Sequence, residues 1–308
     1  MIDFTNLLNL QCMLFLFMAL GAVVTKLGIL TREGRKSLTD LVINVVLPCN
    51  IIISFYVEMS FEVLLSTGKI FVLAFAIQLL QLGLSKVLYN HVKGKRKKVM
   101  EYGTICSNAG YLGNPVVEGI YGSEGLLYAS VYLIPARLFL WSAGLMCFTQ
   151  ADKKTVMKNL AKHPCIIAVE LGFLLMLSQW KLPVLLEKSL RSVGGCTTVM
   201  SMLTIGAVMA DSDIRTVFSW DNGYYCFVRL ILVPALVLAG GMLLRVDALI
   251  LGISVVLAGM PAGATTTLLA AKYDGDADFA SKCTILSTLF SMVTIPIFCI
   301  LLIRLGLG

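Results

Sequence analysis

Charge is scarce in this chain. Only 14% of its 308 residues are Asp, Glu, Lys or Arg and two are His, whereas 58% are hydrophobic. An ordinary soluble domain carries about a quarter of its residues as charges, so a water-soluble core-and-shell protein is excluded as the starting class. Catalytic signatures are missing as well. HExxH, GxSxG, a Walker A loop and an Asp pair at spanning depth do not occur, which removes hydrolase and nucleotide-driven readings. The paired carboxylates of YDGDAD at 273–278 fall in a turn at the expected membrane edge. Nine Cys are present but no CxxC pair and no Cys/His cluster. Cys12, Cys49, Cys106, Cys147, Cys196, Cys226 and Cys299 lie in apolar runs and read as small buried side chains, and His91 and His163 sit at loop edges. Neither a metal site nor a cofactor is implied.

What the sequence has instead is hydrophobic length. Mean hydropathy is +0.87. Ten apolar stretches follow one another with short polar breaks, near 6–30, 37–57, 68–92, 99–122, 125–148, 165–182, 186–211, 219–243, 246–272 and 277–306. In lipid each can satisfy its backbone internally only as a helix, so the expectation is an all-α membrane protein with ten transmembrane helices. The start, MIDFTNLLNL, lacks a basic region and a small-residue cleavage site, so the first run is expected to be a retained span.

The formal charge of +7 does not point to nucleic acid. Basic residues gather in the odd-numbered breaks of the first half: Arg32, Arg35 and Lys36, then the KGKRKK run at 93–98, then Lys153, Lys154, Lys158 and Lys162. The even-numbered breaks there carry Lys69 alone. That is the positive-inside pattern, and it places the N-terminus outside the cytoplasm and KGKRKK against the anionic inner leaflet. Charges in the second half are balanced and give no orientation.

Two apolar segments are interrupted in matching ways. The fourth contains SNAGYLGNP at 107–115 and the ninth AGMPAGATTT at 258–267. Pro115 and Pro261 remove an N–H and clash with the carbonyl four residues back, and Gly110 and Gly263 loosen the backbone beside them. A freed backbone group facing hydrocarbon is costly, so both breaks must be packed in protein or line a wet cavity. Five spans per half is an odd number, so residues 1–148 and 165–308 form two inverted repeats joined by a connector at 149–164, with the broken fourth and ninth helices sharing one midplane site. Ser107, Gly110, Pro115, Pro261, Ala262 and Gly263 are the expected crossover residues.

Arg137, near the centre of the fifth segment, is the most exposed to physical argument. An Arg at that depth costs about 2.5–3.5 kcal/mol and must face the bundle interior with a partner. Two uses fit: a planar fork for a substrate carboxylate, or a structural pair with Glu118 or Glu170. Asn108 shares a helical face with Tyr111, Pro115 and Glu118 and can donate to an anion beside a half-helix N-terminus. Thr265 and Thr266 offer hydroxyls past Pro261, and Asn50 and Ser201 are candidates for the opposite wall. Glu118 fits a proton carrier, a charge partner or a plain interfacial charge.

Five stretches in order carry a family resemblance: VVLPCNIIISF at 45–55, CSNAGYLGNPVVEGIYG at 106–122, TTVMSMLTIGAVMA at 197–210, VRLILVPALVLAG at 228–240 and the long run from MPAGATTT to TIPIF at 260–298. With these the chain resembles the auxin efflux carrier family, which includes plant PIN-type exporters and shorter bacterial malonate permease-like carriers. The resemblance implies two inverted five-helix repeats, like those of sodium/proton antiporters and bile-acid symporters, a homodimer, and elevator-like movement. It departs from the family at Ser107, where plant members carry Pro, at Val199, where bacterial relatives often carry Pro, and at Arg137, where they often carry Asn. The expected function is a secondary carrier for a small organic anion in the cell membrane; a cation-coupled antiporter or sodium-dependent symporter of the same architecture is the alternative, and a non-transporting membrane sensor a distant third.

Overall fold

The computed structural model describes residues 4–56, 60–144, 146–148, 162, 164–210, 217–273 and 275–307. Most of the connector expected at 149–164 lies outside them. Each helix overlaps one of the expected apolar segments. The first is α1, Phe4–Lys26; the second joins α2, Arg32–Leu41, to α3, Leu47–Ser54; the third is α4, Phe61–Leu88. The fourth begins with α5, Lys95–Ile105, and resumes beyond a break in α6, Asn114–Phe139, which also carries the fifth. Then follow α7, Pro164–Ser178; α8, Val184–Gly194; α9, Thr197–Met209; α10, Trp220–Phe227; α11, Val233–Leu243; α12, Ala248–Ala258; α13, Ala264–Lys272; and α14, Ala277–Arg304.

Several helices begin earlier than hydropathy suggests. Thr31 Oγ1 accepts from the Gly34 N–H at 3.1 Å and Ser60 Oγ from the Val63 N–H at 3.2 Å, so polar first turns such as REGRKS are helical. Three prolines within helices follow one device. Pro48, Pro115 and Pro234 each come directly after a five-residue π-helical turn, at Val42–Val46, Ala109–Gly113 and Val228–Leu232. The wider turn relieves the clash a proline ring makes with the preceding turn, so the chain continues as helix instead of ending. The fourth and fifth segments also meet without a loop, turning at Gly122, whose φ of 67° suits a residue without Cβ.

Among the described residues, four helical stretches are long and apolar enough to cross a membrane by length and composition: Arg32–Ser54, Phe61–Leu88, Trp220–Leu243 and Ala277–Arg304. Leu16, Val72, Leu174 and Val293, on four different helices, are all more than half exposed, a perimeter suited to lipid and not to water. Polar contacts gather the helix ends into two groups. Arg96, at the start of the fourth segment, reaches Asp221 at 3.2 Å and Asp276 at 3.5 Å, while Lys69 reaches Asp247 at 2.6 Å.

The most extensive helix pairing joins α1 to α9. Glycines sit in its seam: a Cβ at Gly21 would strike the Leu203 carbonyl, and one at Gly206 the Met18 carbonyl. Absence of side chains lets the two backbones touch, as membrane helices do where packing rather than hydrophobicity drives association.

The crossover and its candidate binding cavity

The two breaks meet. Ser107 and Ala262 form an antiparallel bridge, with the Asn108 N–H donating to the Pro261 carbonyl at 2.8 Å. Ser287 Oγ on α14 accepts from the Ala262 N–H at 3.1 Å. Backbone groups at the two breaks are thus satisfied by each other and by one hydroxyl. Gly113 lets the chains pass closely, since a Cβ there would lie 2.7 Å from Leu257 Cδ2.

Four half-helix ends surround this crossing, and they divide by polarity. The carbonyl ends of α5 and α12 converge on Arg229, a completely buried residue of the eighth segment. Its Nε donates to the Met260 carbonyl at 2.9 Å and its Nη1 to the Thr104 carbonyl at 3.2 Å. A fixed cation therefore sits at the negative ends of two helix dipoles. Arg229 was not singled out from sequence, although the cost that drew attention to Arg137 applies equally to an Arg inside VRLILVPALVL.

The N-terminal ends, just past the breaks, open onto a cavity of about 250 Å³. Asn108, Tyr111, Arg137 and Thr265 all line it, together with the crossover residues Ser107, Gly110 and Gly263. Arg137 is 8% exposed, and its Nη1 is buried without a hydrogen-bond partner. The guanidinium lies against the fourth-segment break: a Cβ on Gly110 would be in ordinary contact with Nη2, at 3.5 Å. The structural pairing considered from sequence is not present. Glu118 bonds to Asn50 instead, whose Nδ2 donates to Oε2 at 3.1 Å, and Glu170 is exposed; the polar neighbour of Arg137 is the Cys165 thiol. Glu118 is accordingly more than an interfacial charge.

Other expected wall residues lie outside the cavity. Asn50 is engaged with Glu118, Thr266 is buried behind Thr265, and Ser201 stands beyond Tyr111, whose hydroxyl faces Thr204, Thr39 and Ser201. Pro115, Pro261 and Ala262 shape the crossover without lining the cavity. Thr39 and Thr204, which do line it, had no sequence signal beyond being hydroxyls in apolar helices.

Among the described residues, a helical body with a lipid-suited perimeter and a cavity carrying a few polar side chains at paired helix breaks defines a multi-pass membrane transporter. The profile of the family described as membrane transport protein matches residues 10–158 and 151–299, and the chain belongs to that family. Two relatives agree. An uncharacterized transporter of Methanothermobacter thermautotrophicus is 27% identical over 293 residues, covering 92% of this chain and 94% of its own. An uncharacterized transporter of Methanocaldococcus jannaschii is 26% identical over 279 residues, covering 88% and 90%.

Proposed function

We propose that the protein is a secondary active carrier for a small organic anion, a carboxylate, bound between Arg137 and the two half-helix N-termini. The buried Arg137 guanidinium, aimed into a small cavity with an unpartnered Nη1, is the observation that carries this reading. A buried cation without a counter-charge is costly, and an anionic ligand supplies the missing charge with two parallel hydrogen bonds. Asn108 and Thr265 add neutral donors, and oriented N–H groups at the breaks add partial positive charge. The cation-coupled alternative is weaker, because the crossover carbonyls of Thr104 and Met260 are already held by Arg229.

In this reading the inverted halves form one crossing unit that moves, elevator-fashion, against a scaffold containing the α1–α9 seam, within a homodimer in the cell membrane with its N-terminus outside. A thermal-shift screen of purified protein against carboxylic acids tests it. Carboxylates that raise the melting temperature of wild type should lose that effect in Arg137→Gln. Equal stabilisation of both forms would remove Arg137 from the site.

A further inference from the structure

A second polar feature begins at the cavity and leads away from it. Thr197, Ser201 and Thr204 fall on one face of α9, all buried. Opposite them stand Thr39 of α2 and Asn50 of α3, and the broken fourth segment contributes Tyr111 and Glu118. Two contacts fix the antiparallel register of the second segment against α8 and α9. Arg35 Nη1 donates to the Ala207 carbonyl at 2.9 Å at one end; at the other, the position a Cβ would take on Gly194 lies 3.2 Å from Asn50 Oδ1. Tyr111 therefore meets Thr39, Thr204 and Ser201 at the cavity, and the Asn50–Glu118 bond lies level with the start of α9. Between these points the hydroxyls of Tyr111, Ser201 and Thr197 are buried and have no partner. Buried hydroxyls spaced a helical turn apart along one interface can relay a proton where waters join them.

We propose that this column is a proton path and that Glu118 is the proton-carrying site, so that a monoanion crosses with one proton. The proposal rests on Arg137 being the anion site. Charge balance supports it. With Arg137 positive and Glu118 ionised, the empty carrier has no net charge on this pair. Binding a monoanion adds one negative charge, and a proton on Glu118 cancels it, so both crossing states are neutral in a medium where net charge is costly. On loading, a hydronium at the end of the column breaks one O–H bond and becomes water, and the relayed proton forms one O–H bond on a Glu118 oxygen. Release breaks it and hands the proton to a water, and each hydroxyl in the column gives one proton as it takes another. Among the described residues Asn50 of α3 bonds to Glu118, and the charged residues of its own helix and of those packed against it, Glu124 and Arg137 on α6, Lys26 on α1, Glu62, Lys69 and Lys86 on α4 and Glu170 on α7, make no ion pair with it.

Liposomes carrying the purified protein, with pyruvate as probe, test the coupling. Wild type should exchange pyruvate across the membrane at equilibrium and concentrate it under an imposed proton gradient. Glu118→Gln keeps an oxygen for Asn50, and should retain exchange while concentrating pyruvate at least tenfold less. Concentration equal to wild type would overturn the proposal. Thr197→Val should slow gradient-driven uptake several-fold without altering exchange, and no slowing would overturn the path. Loss of exchange in Arg137→Gln belongs to the anion reading, which fails separately if that variant exchanges pyruvate as wild type does. A ligand-free measurement keeps the proton site testable whichever anion is carried. An infrared pH titration should show a protonated carboxyl band that Glu118→Gln abolishes, and a band unchanged by the substitution would overturn the assignment.

Discussion

At the scale of single residues, two arginines set the electrostatics of the interior and do different work. Arg229 donates to two crossover carbonyls and keeps its Nη2 buried without a partner, whereas Arg137 brings an unpartnered Nη1 to the cavity. Arg137→Gln should weaken anion binding about ten- to hundredfold, the equivalent of one charge-assisted hydrogen bond of about 1.5–3 kcal/mol, as titration calorimetry would measure. Arg137→Lys should fall between, because an ammonium keeps the charge and loses the fork. Arg137, Asn108, Tyr111 and Thr265 were legible in the sequence because a polar residue inside an apolar span must find a use. The direction in which Asn50, Ser201 and Thr266 face was not, since a hydroxyl or amide in a uniformly apolar helix leaves no stripe to show which side is the core.

Among elements, the half-helices depend on how their ends are held. Replacing Arg229 with Met leaves the Thr104 and Met260 carbonyls buried and unpaired, and should cost on the order of 3 kcal/mol of stability, seen as a lower melting temperature in detergent. That loss should appear with or without ligand, which separates it from the effect of Arg137→Gln. Gly122 makes a second prediction. Nothing crowds a Cβ there, so Gly122→Ala isolates the strain of its positive φ and should destabilise by about 1 kcal/mol in the same assay. The two interrupted helices were readable from their Pro and Gly. The π-helical turns were not: three precede a proline, but Leu140–Gly144 does not, and Pro296 lies in a helix without one. Helix starts were also hidden, since caps such as Thr31 and Ser60 precede polar turns that hydropathy counts as loop.

For the molecule as a whole, two groups of ion pairs offer a test of the proposed sidedness. With native cysteines replaced, a Cys at position 96 should react with an impermeant thiol reagent only from the cytoplasmic side and one at 69 only from the other, if the Arg96 and Lys69 clusters mark opposite faces. Labelling of both from one side would refute the proposed topology. Gly206→Val should force α1 and α9 apart and lower stability by about 1–3 kcal/mol, a loss independent of any solute. The bridge between Ser107 and Ala262 reaches further than either residue. Stitched at their weakest points, the two interrupted helices form a single rivet: a hinge in either one alone would break the bond from the Asn108 N–H to the Pro261 carbonyl, so in the proposed carrier the two would travel together.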